Sequence, residues 1–161
     1  MKTSKKLLLT LALCVPAVAL AEGVTVDNFV RAESDHMFRA NMEAFQVSFG
    51  EFTHLREPTT TDNQPIIRMN QDTLYSGTLL DLSEPVTITL PEIGGRYMSM
   101  HVVNQDHYCF VEAKPGTYEL TEDTVGTRFA YVTIRTFYNA GDPDDLAQAC
   151  LLYTSDAADD V

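Results

Sequence analysis

The sequence predicts a mainly β protein: an antiparallel β-sandwich or jelly-roll-like sheet with an N-terminal helix packed against it. Two observations lead to this fold class. Short segments with strand-like alternation recur about every ten residues, separated by turns rich in glycine, proline and asparagine. One earlier segment, residues 24–45, instead spaces its apolar side chains as a helix does. No linker or internal repeat interrupts the chain, so we predict one domain.

The helix predicted over residues 24–45 has an imperfect apolar stripe. Thr25 or Asp27 can cap its first turn, and Asp27 suits the positive end of the helix dipole. Arg31 and Asp35 stand four residues apart, where opposite charges can pair on a helix surface. We expect the stripe to lie on a sheet and His36 to be exposed. The stripe consists of Phe29, Val30, Met37, Phe38, Met42 and Phe45.

The strands are predicted from period-two alternation between turn signals. In residues 86–90, Val86, Ile88 and Leu90 are expected to face a core. In residues 96–103 the core-facing set is Met98, Met100 and Val102. Gly77 is expected to end the segment that leaves a turn at residues 70–72, and residues 121–126 form a polar connection. The remaining predicted strands are residues 66–69, 73–76, 108–111, 117–120 and 128–136, and a helix begins near residue 144.

Both ends of the chain differ from this body. Residues 1–21 have the positive start, apolar run and small-x-small ending of a secretory signal peptide, which predicts cleavage before Glu22 and a periplasmic or secreted protein. A retained membrane anchor is the alternative. Residues 150–161 resemble translated adapter sequence from metagenomic reads and are predicted to be non-native, the alternative being a frayed natural terminus. The domain is therefore predicted over residues 22–149, as the incomplete start of a longer natural protein.

The chain is strongly acidic, with a formal net charge of −12. Such a surface repels nucleic-acid phosphates and anionic lipids. We therefore expect no nucleic-acid partner and no membrane association after signal cleavage. A small-molecule ligand, a second domain and a second copy of the chain stay open as partners. Cys109 is the one cysteine of the predicted domain, and we expect a buried, inert thiol there; a nucleophile paired with His107 is the alternative.

The stretch of residues 68–76 carries the densest set of polar groups and is the candidate site. Arg68 and Arg96 could form bidentate contacts to a carboxylate or phosphate. Asp72 or Asp106 could act as a general base with His107 as proton shuttle, and Tyr75 could donate to an oxyanion. The alternative is structural, because Asn70 and Asp72 are favoured in turns. We predict catalytic roles for Asp72, His107 and Tyr75, and substrate binding by Arg68, Asn70, Arg96, Asp106 and Tyr108.

Metal and cofactor sites are not predicted. Potential nitrogen and oxygen ligands occur, but no pair has the spacing of a zinc motif. No glycine-rich phosphate loop or glycine-flanked nucleophilic serine is present. The residues weighed as metal ligands are His54, Glu57, His101, Asp106 and His107.

Six motifs, taken in order, resemble bacterial proteins that carry the domain of unknown function 1254 (DUF1254). The resemblance covers about residues 24–146, and the Asn-Asp-Thr-Leu-Tyr core is its most distinctive part. It implies a mostly β fold in secreted or periplasmic proteins, often joined to a second domain, and it implies no settled activity. The C-terminal region expected of the family is missing here. The motifs are residues 24–35, 54–58, 68–76, 95–100, 104–108 and 125–128.

Three functional hypotheses follow. The first is a secreted hydrolase acting on a small polar or anionic substrate through the Arg/Asp/His/Tyr cluster. The second is a non-catalytic ligand-binding or assembly module. The third makes the cluster a structural spine, and it predicts that no cleft exists and that Asp72 is buried and fully paired.

Overall fold

The computed structural model describes residues 23–63 and 68–152, and the predicted signal peptide lies outside them. Within these ranges, strands outnumber helices. The elements are α1 (Phe29–Phe45), β1 (Thr53–Leu55), β2 (Thr73–Asp81), β3 (Val86–Leu90), β4 (Met98–Asn104), β5 (Cys109–Glu112), β6 (Gly116–Leu120), α2 (Glu122–Val125), β7 (Phe129–Phe137) and α3 (Pro143–Leu151).

The strands form two antiparallel sheets. Five of them pair in the order β1-β2-β7-β4-β5, and β3 pairs with β6 in a second sheet. The longest pairing joins β2 to β7, from Thr73 opposite Phe137 to Asp81 opposite Phe129. The predicted strand-rich, antiparallel architecture with an N-terminal helix is therefore confirmed, whereas the jelly-roll-like arrangement stays a prediction.

One face of the large sheet packs with the small sheet in a shared hydrophobic core. Met100, Val102 and Val132 point from the large sheet, and Ile88 and Leu120 come from the small one. Successive side chains of a strand point to opposite faces, so the alternation in the sequence decides which residues enter this core. The core-facing sets predicted for residues 86–90 and 96–103 are confirmed.

Helix α1 lies on the opposite face of the large sheet and begins at Phe29, so the predicted start at residue 24 is wrong. The side-chain oxygen of Asn28 accepts a hydrogen bond from the Thr25 amide at 2.7 Å, which makes residues 25–28 a turn before the helix. The predicted pair of Arg31 with Asp35 is also wrong. Arg31 instead forms an ion pair with Asp106 at the β4–β5 turn.

The predicted apolar stripe of α1 is only partly buried. Phe38 is buried and packs against Tyr131 with ring centroids 6.4 Å apart. Phe29, Val30 and Met37 are exposed. Only Ser34 and Phe38, one turn apart, are fully buried, so the helix contacts the sheet along a narrow line.

Two further expectations are corrected by the sheet. Gly77 does not end a strand, because β2 continues through it to Asp81. Cys109 is exposed rather than buried, because β5 is an edge strand whose side chains remain accessible. The predicted polar connection contains the short helix α2, capped by Thr121 and Thr124.

The last helix, α3, begins after the cap Asp142 and continues to Leu151, past the domain boundary predicted at residue 149. Residues 153–161 lie outside the described part of the chain, as do two residues of the strand predicted at 66–69. The other two, Arg68 and Met69, are not in a strand. Within the described ranges, no helix is long and apolar enough to span a bilayer.

Candidate functional site

A cavity of about 520 Å³ lies between the C-terminal half of α1 and the face of β1, β2 and β7 on which α1 packs. It exists because small residues meet there. Ala40 and Ala44 stand one turn apart on the helix, and Gly77 lies on the sheet below. The lining residues are Ala40, Asn41, Ala44, Phe45, Thr53, Leu55, Arg68, Met69, Asn70, Tyr75, Ser76, Gly77, Tyr131, Thr133 and Arg135.

The pairing of β2 with β7 arranges the sheet side of the cavity in rows. Tyr75 lies opposite Arg135, and Gly77 lies opposite Thr133. Tyr131 precedes Thr133 by two residues on β7, so its side chain lies on the same face of the sheet as that of Thr133. Its hydroxyl lies over Gly77, only 2.7 Å from where a β-carbon would stand. A glycine is therefore required for Tyr131 to occupy this position.

Arg135 is the central cation of the cavity. Its guanidinium carbon lies 6.0 Å from the centre of the Tyr75 ring. Its Nε is buried and has no hydrogen-bond partner among the residues that the structure describes. An unsatisfied, buried N–H of a charged group is costly. The side chain that carries it also lines the cavity.

The charge lining the cavity is positive although the protein is strongly acidic. Two arginines line it, and among its described lining residues there is no aspartate or glutamate. Three of the arginines outside the cavity form ion pairs with carboxylates: Arg31 with Asp106, Arg96 with Asp145 and Arg128 with Asp81. None of the acidic side chains that the structure describes therefore lines the cavity, although the protein has a net charge of −12.

His101 of β4 lies beside the cavity on the same face of the sheet, directly opposite Thr133 of β7. Burial lowers the pKa of its imidazole below the usual 6.5, and the nearby charge of Arg135 lowers it further. The imidazole is therefore neutral at pH 7. A neutral ring leaves Arg135 as the charged group of this part of the sheet.

Three of the residues predicted as the site line this cavity: Arg68, Asn70 and Tyr75. The Asn70 backbone amide donates a hydrogen bond of 2.9 Å to the Tyr75 hydroxyl. This bond ties the loop before β2 to the floor of the cavity. Tyr75 is accordingly half-buried and faces the cavity rather than the core.

Asp72 and Arg96 lie elsewhere. Asp72 is exposed, and its backbone carbonyl accepts a hydrogen bond from the Tyr138 amide. Arg96 donates to both oxygens of Asp145 on α3 and to the Phe137 carbonyl at 2.7 Å. Arg96 holds the pKa of the Asp145 carboxyl below its usual 3.8. We interpret Arg96 as an anchor for α3.

The turn between β4 and β5 holds the other predicted residues, and it lies away from the cavity. Asp106 is bound to Arg31, which precedes Ala40 by nine residues, or about 14 Å along α1. His107 and Tyr108 are exposed. The structure does not bring Asp72, His107 and Tyr75 together, so catalytic roles for these residues stay predictions.

The sequence reasoning missed Arg135, the most informative cavity residue. The strand at residues 128–136 was predicted, and Tyr131, Thr133 and Arg135 alternate along it. An arginine on one face of a central strand is a signal that could have been followed. What was missing is the register that sets Arg135 opposite Tyr75.

A metal centre finds no support in the described residues, where no three His, Cys, Asp or Glu side chains are grouped to hold an ion. His54, weighed as a ligand from the sequence, instead contacts the Ser76 hydroxyl at 2.8 Å. Burial lowers the pKa of its imidazole, and the charge of Arg56 adds to the effect.

Comparison with known proteins agrees with this architecture. The chain is similar to the crystal structure of VPA0106 from Vibrio parahaemolyticus, with a TM-score of 0.59 and 18% sequence identity. The similarity covers 79% of this chain and 34% of that one, so the present chain spans about a third of its length. At this identity the likeness shows the fold alone. No curated protein matches the sequence. The family model described as protein of unknown function (DUF1254) matches residues 49–153, and the chain therefore belongs to the DUF1254 family.

Proposed function

We propose that this domain is a binding module for a small anionic organic molecule, held in the cavity beneath α1 by Arg135. The observation that carries the proposal is that Arg135 lines this cavity while no described lining residue is a carboxylate, in a protein of net charge −12. An acidic surface repels anions, so a cavity that attracts them must keep acidic side chains out of its lining.

The hydrogen bonding of Arg135 supports an anion rather than a neutral ligand. Its buried Nε–H has no partner among the described residues. A ligand carboxylate would accept from the Arg135 guanidinium in a charge-assisted bond, which is about twice as strong as a neutral one.

Binding without chemistry is better supported than hydrolysis, which is retained as the alternative. Among the residues that the structure describes, no carboxylate lines the cavity to act as a base. The Tyr75 hydroxyl accepts a hydrogen bond from the loop. The structural-spine hypothesis is weaker still, because it required the absence of a cleft and a buried Asp72, whereas Asp72 is exposed. We propose a β-sandwich that presents one ligand cavity under its helix.

The test is a titration of the purified protein with phenylacetate, followed by NMR shifts or calorimetry. Arg135→Met is expected to weaken binding at least about tenfold, because the charge-assisted bonds are lost. The same variant is expected to unfold at no lower urea concentration than the wild type, because methionine fills the site without a buried, unpaired N–H.

Arg128→Met is the matched control. It removes the same charge at a position seven residues before Arg135, about 23 Å away along the strand. There Arg128 is exposed and pairs with Asp81. Binding should be unchanged in this variant. Equal weakening by both variants would mean that the overall charge matters and not the cavity. A large loss of stability in Arg135→Met would favour a structural role for Arg135.

We further propose that the domain works in the periplasm or outside the cell, with the small molecule as its main partner. Support comes from the leader-like sequence of residues 1–21. Mass spectrometry of the protein recovered from the periplasmic fraction of an expressing bacterium should give a mature chain beginning near Glu22. Recovery of uncleaved protein that starts at Met1 would overturn this proposal.

A further inference from the structure

We infer that the ligand is a monocarboxylate with an apolar body about the size of one aromatic ring. The inference rests on the proposed anion site and adds the chemistry of the rest of the molecule. It is carried by the division of the cavity into a charged end and an apolar remainder.

The charged end is set by the strand register. Leu55, Tyr75 and Arg135 form one row across β1, β2 and β7, and Thr53, Gly77 and Thr133 form the next. Rows on one face are separated by two residues, or about 7 Å. A molecule whose carboxylate is bound by Arg135 would therefore have the row of Gly77 as its neighbour along the strands.

In this second row Gly77 has no side chain, and the Tyr131 hydroxyl occupies the space above it. The ring of Tyr131 reaches over Gly77 from the following row and closes the far end. The space between Arg135 and the Tyr131 ring is thus about one row deep. A long chain extending along the strands would meet the Tyr131 side chain.

Most of the remaining wall is apolar. The polar lining residues besides Arg135 are Asn41, Thr53, Arg68, Asn70, Ser76 and Thr133. Helix α1 contributes Ala40, Ala44 and Phe45, and Leu55 and Met69 close the sides. Phe45, Tyr75 and Tyr131 supply aromatic surfaces against which a ring can pack. A cavity of about 520 Å³ with apolar walls and a few placed polar groups is typical of sites for organic molecules larger than acetate.

The experiment compares three probes on the full protein: phenylacetate, acetate and the neutral phenylacetamide. Phenylacetate should bind at least about tenfold more tightly than acetate, because its ring leaves water. It should also bind at least about tenfold more tightly than phenylacetamide, because only the acid is charged. Binding of phenylacetate should depend on Arg135.

The outcomes separate the two proposals. If acetate and phenylacetate bind equally and both depend on Arg135, the anion site stands and the apolar body is overturned. If phenylacetamide binds as tightly as phenylacetate, the anion site is overturned. If none of the probes binds at millimolar concentration, both proposals fail.

A second variant tests the apolar wall directly. Ala44→Leu adds bulk to the helix side of the cavity and should weaken phenylacetate at least about fivefold while leaving acetate within about twofold. Ala147→Leu makes the same change at an exposed position of α3 and should affect neither. Equal weakening of both probes by Ala44→Leu would show that the ring does not occupy this wall, and it would overturn the inference.

Discussion

Replacing Gly77 by alanine is expected to destabilise the protein by about 1–3 kcal/mol and to remove ligand binding from the cavity. The added β-carbon would lie 2.7 Å from the Tyr131 hydroxyl oxygen and 3.4 Å from its ring carbon Cζ, so the ring must move. Over-packing at such a site typically costs this much. The displaced ring lines the cavity and would enter the ligand's space. Urea unfolding and a phenylacetate titration measure the two effects.

Tyr131→Phe provides the control for this prediction. It removes the hydroxyl that the alanine would meet, so the double variant Gly77→Ala/Tyr131→Phe should recover most of the lost stability. The single variant Tyr131→Phe should be close to the wild type. If the double variant is no more stable than Gly77→Ala alone, the clash with Tyr131 is not the cause of the loss, and our account of Gly77 is wrong.

Leu74→Ala is expected to cost about 2–5 kcal/mol, the range for truncating a buried leucine. Leu74 is fully buried and packs with Tyr138 and with Ala149 of α3. It lies in the same family motif as Tyr75, but its side chain points to the opposite face of β2. The variant should therefore lower the urea midpoint strongly, and phenylacetate affinity should change little under conditions where the protein remains folded.

Leu151→Ala is the matched change at an exposed position of the same last helix, where the side chain is 64% accessible. We expect a change within about 0.5 kcal/mol there. Comparable losses in both leucine variants would contradict the assignment of Leu74 as the residue that attaches α3 to the sheet. If folded Leu74→Ala loses phenylacetate binding, our assignment of Leu74 to packing and Tyr75 to the cavity is wrong.

The strands could be predicted because their signal is local. Val86, Ile88 and Leu90 alternate with threonines, and each buried position follows from the pleat of a single strand. The start of the helix was harder to predict because several of its apolar side chains do not contact the sheet. Phe29 and Val30 fit the stripe and yet are exposed, since α1 touches the sheet at Ser34 and Phe38.

The candidate site was predicted in part for the same reason. Asn70 and Tyr75 are close in sequence, and the bond between them is local. Arg96 was grouped with them because its residue type suits anion binding, and the structure places it on Asp145 instead. Residue types alone do not show which side chains are close together in the folded protein.

The amino-acid sequence was enough to predict the strand pattern, the acidic charge, the resemblance to the DUF1254 family and the part of the cavity that lies within residues 68–76. The folded structure was needed to show that Arg135, sixty residues later, lies opposite Tyr75, and that Ala40 and Ala44 line the same cavity. The physical reason is that strand register and helix placement depend on long-range packing. Residues that come together only through such pairing have no recognisable pattern in the sequence around them.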